Sequence, residues 1–311
     1  MVLEFNIQKN KKGRNRMTRC VIIVTYEPEL QHLRRLTESV EEALFIPIIV
    51  DNSEKNQVRI EMVSEHSKVI SLGYNQGIAA AQNRGIEYAL SIGAEIIGFF
   101  DQDSNADARL IQKLSAYIEK NEKCVVAPLA LEKDTLKEYP AQNLNKIGYP
   151  QDVFVKGMKT PKKVDIVISS GMMTTATVLC KVGNYDEDYF IDFVDIEWCL
   201  RCKKANIPIY VLPDAVLLHK IGNENVSIEG MEITLHSPLR TYYKVRNSFL
   251  LMHKKNGFVF SARQIFPAII HNFLLICRVN NKKSYLKYYF TGLIHGICGV
   301  RGKYREGKKN A

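Results

Sequence analysis

The first third of the chain alternates between short apolar runs and longer amphipathic stretches, and this order restricts the possible folds more than any other feature. The run at residues 21–26 is continuous, apolar and β-branched, as is typical of a strand buried on both faces. The predicted strands are 21–26, 46–50, 69–72 and 96–100, and the predicted helices are 29–44 and 78–92. Strands that alternate with helices form a parallel, doubly wound α/β sheet, which binds ligands at the carboxyl ends of its strands.

The remaining chain carries weaker patterns. They predict a helix at 108–121, a strand at 125–130, a long irregular insertion at 131–163 and regular structure at 165–169. From about Tyr242 onward the pattern is helical, aromatic and basic.

The net charge of +10 at pH 7 is concentrated at the two ends of the chain. Residues 1–20 carry +5 and residues 281–311 carry +7, which leaves −2 for residues 21–280. A near-neutral body argues against nucleic acid as a partner, and the basic ends indicate contact with something anionic.

The seven cysteines are scattered, which favours free thiols over a disulfide framework or a zinc site. Together with the lack of a signal-peptide pattern, they predict a reducing, cytoplasmic location. The longest apolar stretch, 265–276, is interrupted by Pro267, His271 and Asn272, and we expect it to be too short to cross a bilayer.

Two carboxylates, Asp101 and Asp103, directly follow the predicted strand at 96–100. Residues two apart in an extended chain point to the same side, so both acids can face one ligand. Hard oxygen donors of this kind suit Mg²⁺ or Mn²⁺, which would also hold substrate phosphates. The alternative is a solvated turn, in which Asp is common.

Further polar residues lie where the strands end. Asp51 can accept hydrogen bonds from a nucleoside, or it can simply form a turn. Asn75 can cap the helix at 78–92, on which Asn83 and Arg84 follow, and an arginine in a cleft can pair with a diphosphate. The alternative for this segment is a capped amphipathic helix with a solvated arginine.

Two later segments carry candidate chemistry. The turn through Ser170 and Gly171 can place backbone N–H groups against a sugar or a phosphate. The segment at 186–201 is rich in acids, of which Asp192 and Asp195 are neighbours if both are helical. A base for a sugar hydroxyl is expected among these acids, although some of them can serve only as helix caps.

These segments resemble the family-2 glycosyltransferases over about residues 20–250, because the motifs occur in the order and spacing of that family. The resemblance implies the GT-A fold, in which helices flank a Rossmann-like central mixed sheet, here with a C-terminal helical segment. It implies a basic N-terminal extension (1–19), a catalytic domain (20–240) and a helical, basic C-terminal region (241–311). The catalytic domain would comprise a nucleotide-binding half (20–130) and an acceptor half (164–240).

The resemblance also implies roles for individual residues. It implies that Asp195 is the general base and, because Val194 stands where the family usually has Glu, that Asp192 is the second candidate. Asp103, Asp101 and His219 would hold Mg²⁺ or Mn²⁺. The nucleotide sugar would be bound by residues from several segments, namely Thr25, Tyr26, Asp51, Asn75, Asn83, Arg84, Asp101, Gln102, Gly171 and His219.

Within the family, the Asp-Gln-Asp-Ser form and the block at 190–201 are most similar to bacterial rhamnosyltransferases of O-antigen and capsular polysaccharide synthesis. The implied reaction is an inverting transfer of L-rhamnose from dTDP-rhamnose to a lipid-linked saccharide. The alternatives are transfer from another UDP- or dTDP-hexose and a non-catalytic, nucleotide-sugar-binding partner subunit. A nucleotidyltransferase is disfavoured because residues 25–28 do not form a Gly-rich, basic loop.

The C-terminal region interleaves apolar and aromatic stretches with lysine and arginine. This pattern predicts helices that lie on an anionic membrane surface, on the inner face of the cell membrane. The alternative is a helical dimerisation surface, which would make the protein a homodimer.

Overall fold

An eight-stranded mixed sheet forms the centre of this computed structural model. The structure describes residues 17–305 except 56, 220–223, 229–230, 236, 255–257 and 280, with only the backbone described for 60, 224–228 and 231–235. Most of the predicted basic N-terminal extension therefore lies outside the described residues.

The strands are β1 (Arg19–Thr25), β2 (Ile46–Asp51), β3 (Lys68–Ser71), β4 (Ile96–Asp101), β5 (Val125–Glu132), β6 (Ala141–Leu144), β7 (Pro150–Val153), β8 (Lys162–Val164), β9 (Met173–Thr175), β10 (Ile209–His219), β11 (Glu224–Ile228) and β12 (Met231–Leu235). The helices are α1 (Leu30–Glu42), α2 (Ile78–Ser91), α3 (Ala108–Lys120), α4 (Ala176–Val182), α5 (Val194–Lys204), α6 (Pro238–His253), α7 (Phe258–Arg278) and α8 (Lys282–Ile297).

The central sheet has the strand order β3-β2-β1-β4-β9-β5-β10-β8. Strands β3, β2, β1 and β4 run parallel, whereas β9 is antiparallel to both of its neighbours, so the sheet is mixed. The register pairs Thr25 with Asp51 and Val24 with Asp101. The carboxyl ends of three strands therefore meet at one edge of the sheet, and the α/β prediction is confirmed.

The continuous apolar runs are explained by burial on both faces of the sheet. In β1, Cys20 and Ile22 contribute to the core on one face, and Val21 and Ile23 contribute to the core on the other. Side chains alternate along a strand, so a strand covered on both sides needs apolar residues at every position.

The prediction of an irregular insertion at 131–163 is wrong in part. Strands β6 and β7 form an antiparallel hairpin within it, and β8 adds to the edge of the central sheet beside β10. The regular structure expected at 165–169 is not a strand, since the next strand is β9, after the turn at Gly171. Strands of three or four residues carry too little periodicity to be recognised in the sequence.

Helix α7 has 21 residues, which is longer than the apolar stretch seen in the sequence. Within the described part of the chain it is the one helix that could cross a bilayer by length and composition, and 28% of its apolar window is buried against the protein. The sequence predicted that this segment is too short to cross a bilayer, and the length of the helix contradicts that prediction.

Two fully buried polar residues on α6 attach the C-terminal helices to the α/β body. The Asn247 amide donates to the carbonyl oxygens of Tyr189 (2.9 Å), Ile191 (2.7 Å) and Asp192 (3.0 Å). Arg246 donates to the Tyr189 carbonyl at 3.0 Å and to the Gly302 carbonyl at 2.9 Å. These bonds supply donors to backbone carbonyls of the loop at 189–193, which belongs to no strand or α-helix.

Replacing Asn247 with Leu should destabilise the fold strongly, because the carbonyls of Ile191 and Asp192 would lose this donor, whereas the Tyr189 carbonyl would keep Arg246. We expect Asn247→Leu to lower the free energy of unfolding by about 2–4 kcal/mol in urea denaturation. Ser248→Ala is the matched control, since Ser248 is equally buried and its hydroxyl bonds only to Val245 of its own helix. An equal loss in both variants would contradict the role given to Asn247.

Candidate active site

A cavity of about 930 Å³ opens where the carboxyl ends of the central strands meet α6 and α7. Its walls come from the ends of β1, β4 and β10, from the loop at 190–193 and from the first turn of α5. A volume of this size lies at the upper end of the range for small-molecule sites, which leaves room for more than one substrate group.

Predicted residues at the ends of β1 and β4 line this cavity. They are Thr25, Tyr26 and Gln102, and Asn75, from the loop between β3 and α2, also contributes to the lining. The Gln102 amide accepts from the Tyr26 N–H at 2.7 Å and donates to the Tyr26 carbonyl at 3.2 Å. These two bonds join the loop after β4 to the end of β1 and so set the shape of this wall.

Asp101, Asp103 and His219 come together at the floor of the cavity. One ligand atom from each lies within 4.8 Å of the others, and His219 Nε2 is 3.8 Å from Asp101 Oδ2. The buried Nδ1 of His219 has no hydrogen-bond partner among the residues that the structure describes. Two carboxylates and an imidazole fit the donor set of a divalent metal ion, so the residues present suit such a site.

Charges within the triad act on Asp101. Burial raises the pKa of Asp101, the nearby His219 lowers it, and the charge of Asp103 raises it. A cation between the two acids would relieve their repulsion, as expected of a metal-binding pair.

Asp195 lies in the first turn of α5 and lines the cavity. Burial raises its pKa to about 6, a hydrogen bond from the Ile196 N–H lowers it, and the charges of Asp101 and Asp192 raise it. The bond from the Ile196 N–H measures 2.9 Å. A carboxylate with a pKa near neutrality is suited to accept a proton and to remain ionised at pH 7.

Asp192 lies outside the helix that carries Asp195. It has a φ of +62° and precedes α5, so Asp192 and Asp195 are not neighbours on one helix. Arg240 binds its carboxylate through Nε (3.1 Å to Oδ2) and Nη2 (3.0 Å to Oδ1). The Arg240 guanidinium therefore occupies both carboxylate oxygens of Asp192.

The loop that carries Asp192 holds an unusual backbone. Phe190, Asp192 and Phe193 all have φ between +62° and +66°, a region that costs energy for residues with side chains. The Phe190 carbonyl accepts from the Ile78 N–H at 2.7 Å, next to Gly77. A Cβ on Gly77 would lie 2.6 Å from that carbonyl oxygen, so the close approach requires glycine.

Asp51 does not contribute to the cavity lining, and its contact with the nucleoside stays a prediction. The residue is fully buried. Its carboxylate accepts from the hydroxyls of Thr25 (2.8 Å) and Ser53 (2.7 Å) and from the Val58 N–H (2.8 Å). Asp51 therefore ties the ends of β1 and β2 to the loop that follows, as a turn-forming acid does.

Asn83, Arg84 and Gly171 are also absent from the cavity lining. The buried Asn83 amide accepts from the Tyr185 N–H and donates to the Tyr185 carbonyl, which fastens α2 to the loop before α5. Arg84 is exposed and pairs with Glu87 at 2.9 Å. Gly171 has a φ of +81°, and a Cβ there would lie 2.5 Å from Pro128, so it is needed for packing.

Sequence reasoning missed the wall that the C-terminal helices provide. Arg240 and Lys244 of α6, together with Gln264, His271 and Asn272 of α7, line the cavity. The spacing of Arg240 and Lys244 by one helical turn was the available signal, but the pattern alone does not say which side of α6 faces the site.

Comparison with known proteins agrees with this architecture. A model of the family described as "Glycosyl transferase family 2" matches residues 20–177. The chain is 40% identical over 283 residues to the dTDP-rhamnosyl transferase RfbF of Shigella flexneri, covering 90% of this chain and 96% of that protein. It is 22% identical over 261 residues to the rhamnosyltransferase WbbL of Escherichia coli strain K12, covering 74% and 94%.

A solved structure supports the same fold at low sequence identity. GalNAc-T7 with UDP, GalNAc and Mn²⁺ matches with a TM-score of 0.55 at 14% identity. The match covers 85% of this chain, which spans 58% of that protein. The fold is therefore of the GT-A type, as predicted.

Because the pKa of Asp195 is raised in the folded protein, we expect the replacement of this acid to change the stability of the fold in a pH-dependent way. An acid with a pKa of 3.8 when unfolded and about 6 when folded disfavours folding once it ionises, so the penalty appears above pH 4 and is complete above pH 6. Asp195→Asn should therefore melt higher than the original chain at pH 8, with the difference shrinking toward pH 4. A difference that does not change with pH, measured by differential scanning fluorimetry, would contradict this assignment.

Proposed function

The chain belongs to glycosyl transferase family 2 and is a glycosyltransferase that uses a nucleotide-sugar donor, and on that premise we propose that it transfers L-rhamnose from dTDP-rhamnose to a lipid-linked saccharide with inversion. The proposed donor rests on the relative from Shigella flexneri, which is 40% identical along nearly its whole length. The observation that carries the proposal is the meeting of the Asp101–Asp103–His219 triad and Asp195 in one cavity.

The triad provides the expected place for a divalent ion, Mg²⁺ or Mn²⁺, beside the donor. When bound, such an ion would neutralise the nucleoside diphosphate as it departs. Asp101 and Asp103 would supply carboxylate oxygens to it, and His219 a ring nitrogen. Gln102 holds the loop between the two acids against β1, which keeps their positions fixed relative to the nucleotide side of the cavity.

Asp195 has the role of general base in this proposal. Its carboxylate takes the proton from the acceptor hydroxyl while the oxygen forms a bond to the anomeric carbon. The bond between that carbon and the diphosphate oxygen breaks, and the electron pair leaves with the diphosphate. Attack from the face opposite the leaving group inverts the anomeric centre. Arg240 occupies both oxygens of Asp192 in a bidentate pair, so we assign the role of the base to Asp195.

Helix α7 supports a membrane-bound acceptor because its two sides differ. Gln264, His271 and Leu275 face the cavity at helical spacing. The opposite side exposes Phe266 (63%), Ile270 (36%) and Phe273 (49%). Such a helix can contact lipid on one side and present a saccharide to the active site on the other.

The charge of the C-terminal part favours an anionic membrane as the partner of this surface. Between Glu232 and Glu306 the chain has no acidic residue, against thirteen lysines and arginines. Arg278, Lys282 and Lys283 are exposed where α7 meets α8. We therefore place the protein on the cytoplasmic face of the cell membrane, with a homodimer through the same apolar side as the competing arrangement.

A transfer assay with purified protein tests the reaction. We expect nucleoside diphosphate release from dTDP-rhamnose in the presence of Mg²⁺ or Mn²⁺ and a lipid-linked acceptor, and weaker release from UDP- and other dTDP-hexoses. The rate should rise with pH and reach half its maximum near pH 6, where Asp195 ionises.

In the same assay, Asp195→Asn should lower kcat by roughly 10²- to 10⁴-fold and leave donor binding intact. Asp214→Asn is the matched control, because Asp214 is exposed outside the cavity, where it pairs with Lys113, and its variant should keep full activity. Near-normal turnover by Asp195→Asn would overturn the base assignment, and Asp192→Asn would then be tested. Donor binding without transfer or hydrolysis would instead favour a non-catalytic partner subunit.

Vesicle flotation tests the membrane surface. The chain should float with vesicles that contain anionic lipid, and the double variant Phe266→Ser, Phe273→Ser should float several-fold less because apolar area on α7 is lost. Phe154→Ser is the control, since Phe154 is 58% exposed on the loop after β7. A concentration-dependent dimer that does not float would contradict the membrane proposal and support the dimer.

A further inference from the structure

Helix α6 directs two cations, Arg240 and Lys244, into the active-site cavity. They are four residues apart, so they lie one turn apart on the same side of the helix. The same lining contains the acids Asp101, Asp103, Asp192 and Asp195. The cavity is therefore lined by acids at the strand ends, on the loop before α5 and in its first turn, and by cations on α6.

The two cations differ in their partners. Arg240 is engaged by Asp192 through the bidentate pair described above. Lys244, in contrast, has no hydrogen bond and no ion pair within 4.0 Å among the residues for which the structure describes side chains. It is only partly exposed, and burial lowers its pKa, while Asp192 raises it and Arg240 lowers it.

A partly buried ammonium without a partner is costly in a cavity wall. Removing a charge from water disfavours folding unless an opposite charge or hydrogen-bond acceptors replace the water. The Asp192 carboxylate could be such an opposite charge, but it already binds Arg240. The position of Lys244 therefore indicates an anionic group that enters the cavity from outside.

We propose that Lys244 binds the diphosphate of the nucleotide-sugar donor and stabilises it as the leaving group. This inference rests on the proposed function, since a diphosphate is the strongly anionic part of a nucleotide sugar. The triad holds the donor from the strand ends, and Lys244 approaches from α6. As the bond to the anomeric carbon breaks, negative charge grows on the departing phosphate oxygen, and an ammonium beside it lowers the barrier.

The structure also suggests why the cation at this position is a lysine. Arg240 is held in place by its two bonds to Asp192, so its guanidinium is fixed to the loop at 190–193. Lys244 has a flexible stem and three donors, and it can follow the diphosphate from the bound donor to the product. Arg240 is thus a positioning residue for the loop, and Lys244 is a direct ligand of the substrate.

A diphosphate could also come from a lipid-linked acceptor, so the experiment must separate the two sources. Isothermal titration calorimetry with dTDP and with UDP, with and without Mg²⁺, measures binding in the absence of any acceptor. We expect Lys244→Met to weaken binding of the nucleoside diphosphate that the original chain prefers by roughly tenfold or more, and Lys244→Arg to restore most of it. Thymidine, which has no phosphate, should bind both forms equally.

Lys120→Met is the matched control because it removes the same charge from an exposed position on α3, outside the cavity lining. It should leave the Kd for the nucleoside diphosphate unchanged. Melting temperatures within a few degrees of the original chain would show that Lys244→Met is folded, and Lys244→Arg provides the second variant if it is not.

The possible outcomes separate this inference from the proposed function. An unchanged Kd for the nucleoside diphosphate in Lys244→Met overturns the assignment. A raised KM for the lipid-linked acceptor alone would show that Lys244 binds the acceptor's diphosphate, which also overturns it. If the original chain binds UDP and not dTDP, the proposed donor fails, whereas a loss of UDP binding in Lys244→Met would still support the role of Lys244.

Discussion

The attachment of the loop at 189–193 to α6 is the interaction on which the active site depends. Asn247 donates to three carbonyls of this segment and Arg246 to one of them, and both side chains are fully buried. The loop contains residues with positive φ, a conformation that persists only when its surroundings impose it. Because this loop leads directly into α5, the same bonds determine where Asp195 meets the cavity.

Opposed charges organise the rest of the site. Four carboxylates line the cavity against two lysine or arginine side chains, so the wall carries excess negative charge before any ligand binds. A divalent ion held by the triad would reduce this excess and favour the binding of an anionic donor. Burial, together with the smaller effect of the neighbouring acids, raises the pKa of Asp195, which weakens the fold while it makes this acid a better base.

The sequence placed candidate ligands at strand ends, but it could not identify protein partners that come from other segments. The family resemblance grouped Asp101, Asp103 and His219, and the structure brings them together because β4 and β10 end at the same edge of the sheet. Asn83 looked like a ligand contact, yet it bonds to Tyr185, 102 residues away. Asp51 likewise has its donors on β1 and on the following loop. The sequence does not show whether the hydrogen-bond partner of a polar side chain belongs to the protein or to the substrate.

The sequence by itself determined the α/β architecture, because strands buried on both faces require uninterrupted apolar runs and the order of elements restricts their pairing. It also determined that acids stand at a strand end. Only the tertiary structure decided which cations face those acids. Arg240 and Lys244 follow Asp192 by 48 and 52 residues, and the side of α6 that faces the cavity is set by the buried bonds of Arg246 and Asn247. Such long-range packing produces no local periodicity, so no pattern in the sequence predicts it.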